Sequence, residues 1–348
     1  MKNEKLLKKV ELAIKKVVNK LVTQNRLTYP LTRIENAFYF DTKPRILLLR
    51  QDRIGDLLIS TSFVRILRKH LPDAEIDILL SSRNVTAKKC IERYVSNIYV
   101  LEKSIGKYIA LLRKLNRRKY DLIIDLFDAT STTSAIIIKY ANPIFALGID
   151  KKNSQIYDYT VPMLNRFNSN IVERLCNLLI AFGINPSEQN LELEYPVQTT
   201  KRNQRIGINL SGVTKSRYWN AFDAIEYLYK HYPNYEIRLF YTQQYMDVSE
   251  NYANKFPKLI TGLCKDFDTF ANEVVTCSYI ITPDTSIVHL CSAFKIPVVV
   301  MYLTSPNMQH SPWYPYHLEY RAITTADETL EHINLEDIVR QVNEIIKT

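Results

Sequence analysis

Apolar and polar positions follow two rhythms along this chain. Short apolar runs, read as strands, fall at 45–50, 75–80, 97–101, 120–125 and 144–148. Between them, apolar residues recur three and four apart, which predicts helices near 56–70, 85–94, 104–117 and 130–140. Apolar strands separated by amphipathic helices belong to a parallel sheet covered on both faces. A further helix is expected over 169–183. The stretch 185-NPSEQNLELEYPVQTTKRNQ-204 is polar, holds two prolines and lacks a helical period, so it reads as a linker. The rhythm then repeats, with strands at 205–210, 236–242, 279–282, 297–303 and 320–324 and helices at 221–231, 248–255, 268–277 and 286–294. A closing helix over 327–347 puts Leu330, Ile333, Ile338, Val342 and Ile345 on one side. The expected fold is α/β, with two Rossmann-like doubly wound domains at 41–184 and 205–326 facing a cleft. They are joined by the 185–204 linker and followed by the segment 327–348. Ligands of such sheets sit beyond the carboxyl ends of the strands, which here means the cleft.

Residues 1–40 stand outside that rhythm, as an N-terminal helix and its connection. Over 4–22, Leu6, Leu7, Val10, Ala13, Ile14, Val17, Val18 and Leu21 form one apolar stripe with lysines opposite. Two readings remain open: a helix packed on protein, or a basic amphipathic helix lying on an anionic membrane surface. Charge sharpens the contrast. The formal net charge is +10, and residues 1–26 carry eight Lys or Arg against Glu4 and Glu11, a net +6. The remainder is only mildly basic, which argues against a nucleic-acid-binding face on the fold. No apolar run approaches the roughly 18 residues of a spanning helix. The lysines also interrupt the apolar positions at the N-terminus, unlike a signal peptide. Hydrophobic residues make up 46% and charged residues 24%, enough to build real cores. Five scattered cysteines without a C-x-x-C pair argue against a disulfide framework or zinc site and fit a reducing cytosol.

Three stretches carry candidate chemistry. In 45-RILLLRQDRIGDLLISTSF-63 a strand turns into a helix at Gly55 and Asp56. Neither G-x-G-x-x-G nor a P-loop motif is present, so Gly55 alone is a weak phosphate signal. It suits a tight turn or a close approach of backbone to ligand. Asp56 either complements the helix dipole and free N–H groups or projects into the cleft as a general base. Arg50 and Arg53 flank the same turn and suit an anionic ligand. In 279-YIITPDTSIVHLCSAFKIPVVVMY-302 a buried strand runs into Asp284, Thr285 and Ser286 at a helix start. Free N–H groups and hydroxyls there suit a phosphate or pyrophosphate, with His289 one turn in; the plain alternative is an N-cap and a core histidine. In 206-IGINLSGVTKSRYWN-220 a strand ends at Ser211 and Gly212, and the loop carries Lys215 and Arg217. Two cations suit a diphosphate, or simply a solvated loop.

Together the three stretches resemble glycosyltransferase family 9, the ADP-heptose:lipopolysaccharide heptosyltransferases. The carriers are 46-ILLLRQDRIGDLLISTSFVRILRKHLPDAEIDIL-79, 217-RYWN-220 and 284-DTSIVHLCSAFKIPVVVMY-302, in the family's order. The likeness covers roughly 45–345. Three residues depart from the family pattern: Ser286 stands for glycine, Arg217 for lysine and Asn220 for proline. The resemblance implies a GT-B fold and inverting transfer from a nucleotide sugar, ADP-heptose by family default, to a lipopolysaccharide-core or related acceptor. It implies Asp56 as general base and Ser211, Gly212, Lys215, Arg217, Asp284, Thr285, Ser286 and His289 at the donor. Arg50, Arg53 and Gly55 fall to the acceptor. It implies neither a bound metal nor a separate cofactor. A cytoplasmic protein, peripheral on the membrane's inner face, is expected. A GT-B enzyme of another type, such as a nucleotide-sugar epimerase, and a non-catalytic glycan-assembly subunit are the alternatives.

Overall fold

Among the described residues, twelve strands, all parallel to their neighbours, form two sheets. The structure, a computed structural model, describes residues 26–40, 42–212, 214–305, 308 and 310–347. The helix expected over 4–22 lies outside the described residues. The first sheet contains β1 (Tyr29–Pro30), β2 (Arg45–Leu49), β3 (Glu75–Ser81), β4 (Asn97–Leu101), β5 (Leu122–Asp125), β6 (Phe145–Ile149) and β7 (Tyr159–Val161). Their spatial order is β1-β7-β6-β5-β2-β3-β4. The second contains β8 (Arg205–Asn209), β9 (Glu236–Phe240), β10 (Tyr279–Pro283), β11 (Val298–Leu303) and β12 (Tyr320–Thr325), in the order β12-β11-β10-β8-β9. Helices α1 (Ile54–Ile59), α2 (Thr61–His70), α3 (Ile105–Arg118), α4 (Thr132–Ala141) and α5 (Ile171–Cys176) accompany the first sheet. Helices α6 (Phe222–His231), α7 (Met246–Lys255), α8 (Phe267–Val274), α9 (Ser286–Phe294) and α10 (Leu335–Lys347) accompany the second. No helix among the described residues is long and apolar enough to cross a membrane.

The central strands read as apolar runs because both faces are covered: Ile46, Leu47, Leu48 and Leu49 of β2 are all fully buried. Strand order decides where a site can form. In the first sheet β3 and β4 extend to one side of β2 and β5 to β7 to the other. In the second, β9 lies on one side of β8 and β10 to β12 on the other. Each sheet therefore has a switch point, between β2 and β5 and between β8 and β10, where loops leave in opposite directions and open a crevice.

The structure differs from the expected elements where hydroxyls and turns compete with helix. The helix expected over 56–70 breaks at Ser60, whose hydroxyl donates to Asp56 O at 2.8 Å while Thr61 Oγ1 donates to Leu58 O at 2.7 Å. Over 85–94 the chain forms two 3-10 turns, closed by bonds such as Ala87 N to Asn84 O and Ile91 N to Lys88 O. The 169–183 segment tightens from α5 into a 3-10 helix at Asn177–Ala181. The closing helix begins at Leu335, because Asn334 Oδ1 accepts from Glu336 N at 2.9 Å and starts it there. Strands β1 and β7 are too short to leave a periodic signal.

The 185–204 segment is polar by count but anchored. Leu191, Leu193 and Tyr195 alternate inward and are buried. Ser62 Oγ donates to Leu191 O at 2.6 Å, Arg65 pairs with Glu194 at 2.8 Å, and the Tyr195 hydroxyl donates to Asp268. The segment is thus clamped to α2 in the first domain and to α8 in the second. Replacing Leu193 with Ala is expected to cost about 2–5 kcal/mol, the range for emptying a packed leucine site. Denaturant unfolding reads it, and a loss under about 0.5 kcal/mol would show that the segment packs loosely.

Candidate active site

The two switch points face each other. On the first domain's side, β2 ends at Leu49 and the loop 50–53 leads into α1. Arg50 is 3% exposed, so its charge must be met inside the protein. Its Nε donates to Asp56 O at 2.9 Å and its Nη1 to Leu126 O, in the loop after β5, at 2.6 Å. Its guanidinium also lies 5.7 Å from the Phe127 ring centroid. Two carboxylates share this cation: Asp52 Oδ2 lies 3.3 Å from Nη1 and Asp56 Oδ1 lies 3.9 Å from Nη2. The carbonyl of Asp56 also accepts from Ser60 Oγ, so the residue is held through its backbone.

Asp56 is 8% exposed and is the third residue of α1. Its Oδ2 accepts from Arg53 N at 3.3 Å, which realises the helix-start role, while Oδ1 turns toward Arg50. Burial raises its pKa above the usual carboxylate value, and Arg50 opposes the rise. Burial pushes Asp52 up to about 7, with Arg50 again opposing and Asp56 adding to it. One guanidinium between two buried carboxylates cannot hold both fully ionised at low cost. Asp125, at the end of β5, belongs to a separate structural knot: Tyr157 OH at 2.5 Å, Lys151 Nζ at 3.1 Å and Ser134 Oγ at 3.1 Å all bond it.

On the second domain's side, Thr285 precedes α9 and no side chain caps that helix's first turn. Asn209 Nδ2 donates to Thr282 Oγ1 at 3.0 Å and to Thr285 Oγ1 at 3.2 Å, which ties the ends of β8 and β10 together. Gly212 is needed here, since a β-carbon would come within 2.8 Å of Thr285 Cγ2. Ser211 is buried, with its hydroxyl donating to Gly212 O at 2.9 Å. Arg217 pairs with Asp284, at 2.9 Å through the carboxylate and also through the carbonyl. Burial raises the Asp284 pKa and Arg217 opposes it. Lys215 is exposed at the start of a 3-10 turn and forms no ion pair among the described residues.

Helices α1 and α9 pack against each other across the cleft. Gly55 makes that approach close: a β-carbon there would lie 3.0 Å from His289 Cδ2 and 3.8 Å from Ser286 Cα. Arg53, exposed at the start of α1, lowers the pKa of both Asp56 and Asp284 by its charge, so it stands between the two halves. The loop after β11 reaches back over the first domain. Ser311 N donates to Arg166 O at 3.1 Å, Ser311 Oγ to Phe167 O at 2.9 Å, and Asn170 Nδ2 to Tyr314 O at 3.1 Å. Beneath it lies a cavity of about 170 Å³ whose walls include Arg50, Asp52, Asp56, Phe127, Asp128, Arg166, His310 and Trp313.

The structure thus gathers Arg53, Asp56, Arg217, Asp284, Thr285 and Ser286 around the domain junction, and it shows what three further expected residues touch. Arg50, expected to meet an acceptor anion, lies under the two carboxylates with Nε and Nη1 donating to backbone carbonyls, and it also lines the cavity. Gly55, expected to let an acceptor approach, lies against the His289 ring. His289, expected at the diphosphate, is 4% exposed, and burial lowers its pKa to about 4, so it is a neutral packed imidazole. Asp52, Arg166, His310 and Trp313 went unnoticed in the sequence. Asp52 was legible as a second carboxylate four residues before Asp56, whereas the others sit on loops that only folding brings near. Among the described residues no three His, Cys, Asp or Glu side chains gather as metal ligands.

Comparison with known proteins adds the family context. Residues 108–338, well over half of the chain, match the sequence model of glycosyltransferase family 9 (heptosyltransferase). That span begins after the turn carrying Asp56. The chain is 23% identical over 328 residues to the putative lipopolysaccharide heptosyltransferase 4 of Escherichia coli K12, covering 87% of each. It is 25% identical over 164 residues to lipopolysaccharide heptosyltransferase 3 of Escherichia coli. That match spans 43% of this chain and 46% of the relative, less than half its length. Among solved structures, the E. coli heptosyltransferase WaaC with ADP-2-deoxy-2-fluoro heptose superposes with a TM-score of 0.70 at 14% identity. It covers 86% of this chain and 99% of that one. The fold is GT-B.

The shared guanidinium sets a pH dependence. Asp52 titrates near 7 in the fold against 3.8 for the free side chain. Between those values the folded protein keeps a proton that the unfolded chain has lost, so this group's contribution to stability falls as pH rises. Asp52→Asn removes that loss. Its thermal midpoint is expected to gain on the wild type between pH 4 and pH 8; an offset that does not change with pH would contradict the shared-cation account.

Proposed function

The chain belongs to glycosyltransferase family 9, and from that premise we propose that it is an inverting heptosyltransferase. Its donor is ADP-heptose and its acceptor a lipopolysaccharide-core or related surface glycan. The names of its relatives and the ADP-heptose analogue in the WaaC structure support the donor and acceptor classes. The observation that carries the reading is the placement of Asp56. It is a buried carboxylate at one switch point, facing across the domain junction the uncapped start of α9 at the other.

In this reading Asp56 Oδ1 takes the proton of an acceptor hydroxyl while that oxygen attacks the anomeric carbon of the donor. The new C–O bond forms on the face opposite the bond to the diphosphate, which breaks and leaves as ADP, so the configuration inverts. Burial makes Asp56 a better proton acceptor than an exposed carboxylate, and Arg50 holds it ionised and aimed. The leaving diphosphate gains charge as the bond breaks. The first-turn N–H groups of α9 meet that charge, with Lys215 and Arg53 as the cations. Arg217 holds the Asp284 turn in shape, so that the Thr285–Ser286 backbone is already set when the donor arrives. Asp56→Asn should lower kcat by about 100- to 10,000-fold while calorimetry shows ADP binding as in the wild type. Turnover close to wild type would overturn the assignment.

We further assign residues 1–26 to an anionic membrane surface, where a lipid-linked acceptor resides. Their net +6 supports this. On the described part, α3 exposes Ile105 (79%) and Ile109 (43%) on a helix rich in Lys and Arg. Deleting residues 1–25 spares Arg26, which bonds Asp158. The deletion is expected to weaken sedimentation with phosphatidylglycerol-containing vesicles by about tenfold or more, since each surface cation contributes on the order of 1 kcal/mol. Binding as strong as that of the intact chain would refute the assignment.

A further inference from the structure

We propose that the open groove between α3 and α4 is a binding site for one acyl chain of an anionic phospholipid, with Arg113 and Arg117 at the lipid phosphate. This rests on the membrane reading above and deepens it, from a charged surface to a discrete lipid site. The groove shares no residue with the cavity beside Asp56.

Helix α3 has two apolar stripes. Leu111 and Leu115 are buried in the apolar cluster that holds Leu47 and Ile123 of the first sheet. Tyr108, Ile109 and Leu112 lie on another side, where with Ile136 and Tyr140 of α4 they line a groove of about 630 Å³. Ile105, one turn before Ile109, extends this stripe and is exposed, as are Ile109 and Tyr140. A helix covering a sheet needs one apolar stripe, and a second one open to water marks a binding surface. The lining runs from Tyr108 to Arg117, about 14 Å of helix at 1.5 Å per residue. The volume lies within the roughly 300–1,000 Å³ of ligand pockets. A long apolar channel of that size fits an extended hydrocarbon chain.

Charge identifies the head group. Neither α3 nor α4 contains Asp or Glu, and α3 carries Lys107, Arg113, Lys114, Arg117 and Arg118. Lys107 is paired with Glu102, and Arg118 with Glu75 and Asp77. Arg113 and Arg117 line the groove, are exposed and form no ion pair among the described residues. Four residues apart on one helix, they repel each other, and a phosphate between them removes that cost. Asn116 Nδ2 donates to Tyr140 O at 2.8 Å, which fixes the spacing of the two helices at this end.

The same charge argues against the N-terminal segment as the occupant. The described chain begins at Arg26, which bonds Pro143 O, three residues beyond Tyr140, so the preceding residues are tethered within reach of the groove. Residues 1–25 carry seven lysines against Glu4 and Glu11 and would meet Arg113 and Arg117 with like charge. An anionic lipid instead attracts both basic elements to one surface.

The test uses the full chain and soluble short-chain lipids, so it needs neither donor nor acceptor. Calorimetry is expected to show saturable binding of monomeric dioctanoyl phosphatidylglycerol. The dihexanoyl form should bind about fifteenfold more weakly, since one buried chain loses two methylenes at about fourfold each. Glycerophosphoglycerol, the head group without chains, should not bind measurably. Arg113→Gln with Arg117→Gln should weaken the dioctanoyl lipid about tenfold or more. Ile109→Glu should abolish its binding, and circular dichroism checks that both variants fold. Equal binding of the head group alone, binding unmoved in both variants, or no binding by the full chain overturns the proposal. Binding that appears only after residues 1–25 are deleted also overturns it, because that segment is then the occupant. The vesicle sedimentation above reads the parent assignment separately. If the deletion leaves vesicle binding unchanged, the role of residues 1–26 fails, while the calorimetry still decides the groove.

Discussion

The contact between α1 and α9 is the constraint on which the rest of the site depends. One domain presents the buried Asp56 carboxylate and the other presents an uncapped helix start, and their contact sets the separation between the two. Gly55 makes that separation small by leaving room for the His289 ring. The residue after it is Asp56, and the residues one turn before His289 are Thr285 and Ser286. A single packing contact thus registers the carboxylate against the uncapped first turn of α9. Leu57, Leu58, Ile287, Val288 and Leu290 belong to one apolar cluster that continues from the first sheet into the second domain, so the registration is backed by a core.

Electrostatics then separates the roles of the charged groups. Arg50 is buried and bonded to two backbone carbonyls, which makes it part of the scaffold under the carboxylates. It opposes the burial-driven rise of the Asp56 pKa, and it also lines the cavity beside Asp56. Asp52 competes for the same cation and keeps one buried oxygen without a partner. Arg217 and Asp284 neutralise each other, leaving Arg53 as an exposed cation between Asp56 and Asp284. The arrangement keeps positive charge where a diphosphate would leave and paired charge elsewhere.

Much of this was legible beforehand, for a physical reason. Strands buried on both faces must be apolar without a break, so β2, β8, β10 and β11 stood out as runs, and helices on the sheet faces showed their period. The motifs around Asp56 and Asp284 are local, each a strand end followed by a helix start, and so they survive as continuous words in the chain. The break at Ser60 and the tightening after Cys176 did not show, because hydroxyl and 3-10 bonds leave the apolar spacing almost unchanged. The inward alternation of Leu191, Leu193 and Tyr195 was masked by the polar residues between them.

By itself the chain determined its fold class, its family, the carboxylate at the start of α1 and the helix start at Thr285 and Ser286, since all of these rest on patterns local in sequence. Tertiary structure alone decided that Gly55 and His289 touch, that Arg50 lies beneath two carboxylates, and that Trp313 and Asp52 share a cavity. Those facts join positions more than two hundred residues apart in the case of Gly55 and Trp313 with their partners, and the bonds of Arg50 to the loop after β5. No spacing rule links such positions. They meet because two sheets, each built from local rules, dock through one apolar cluster.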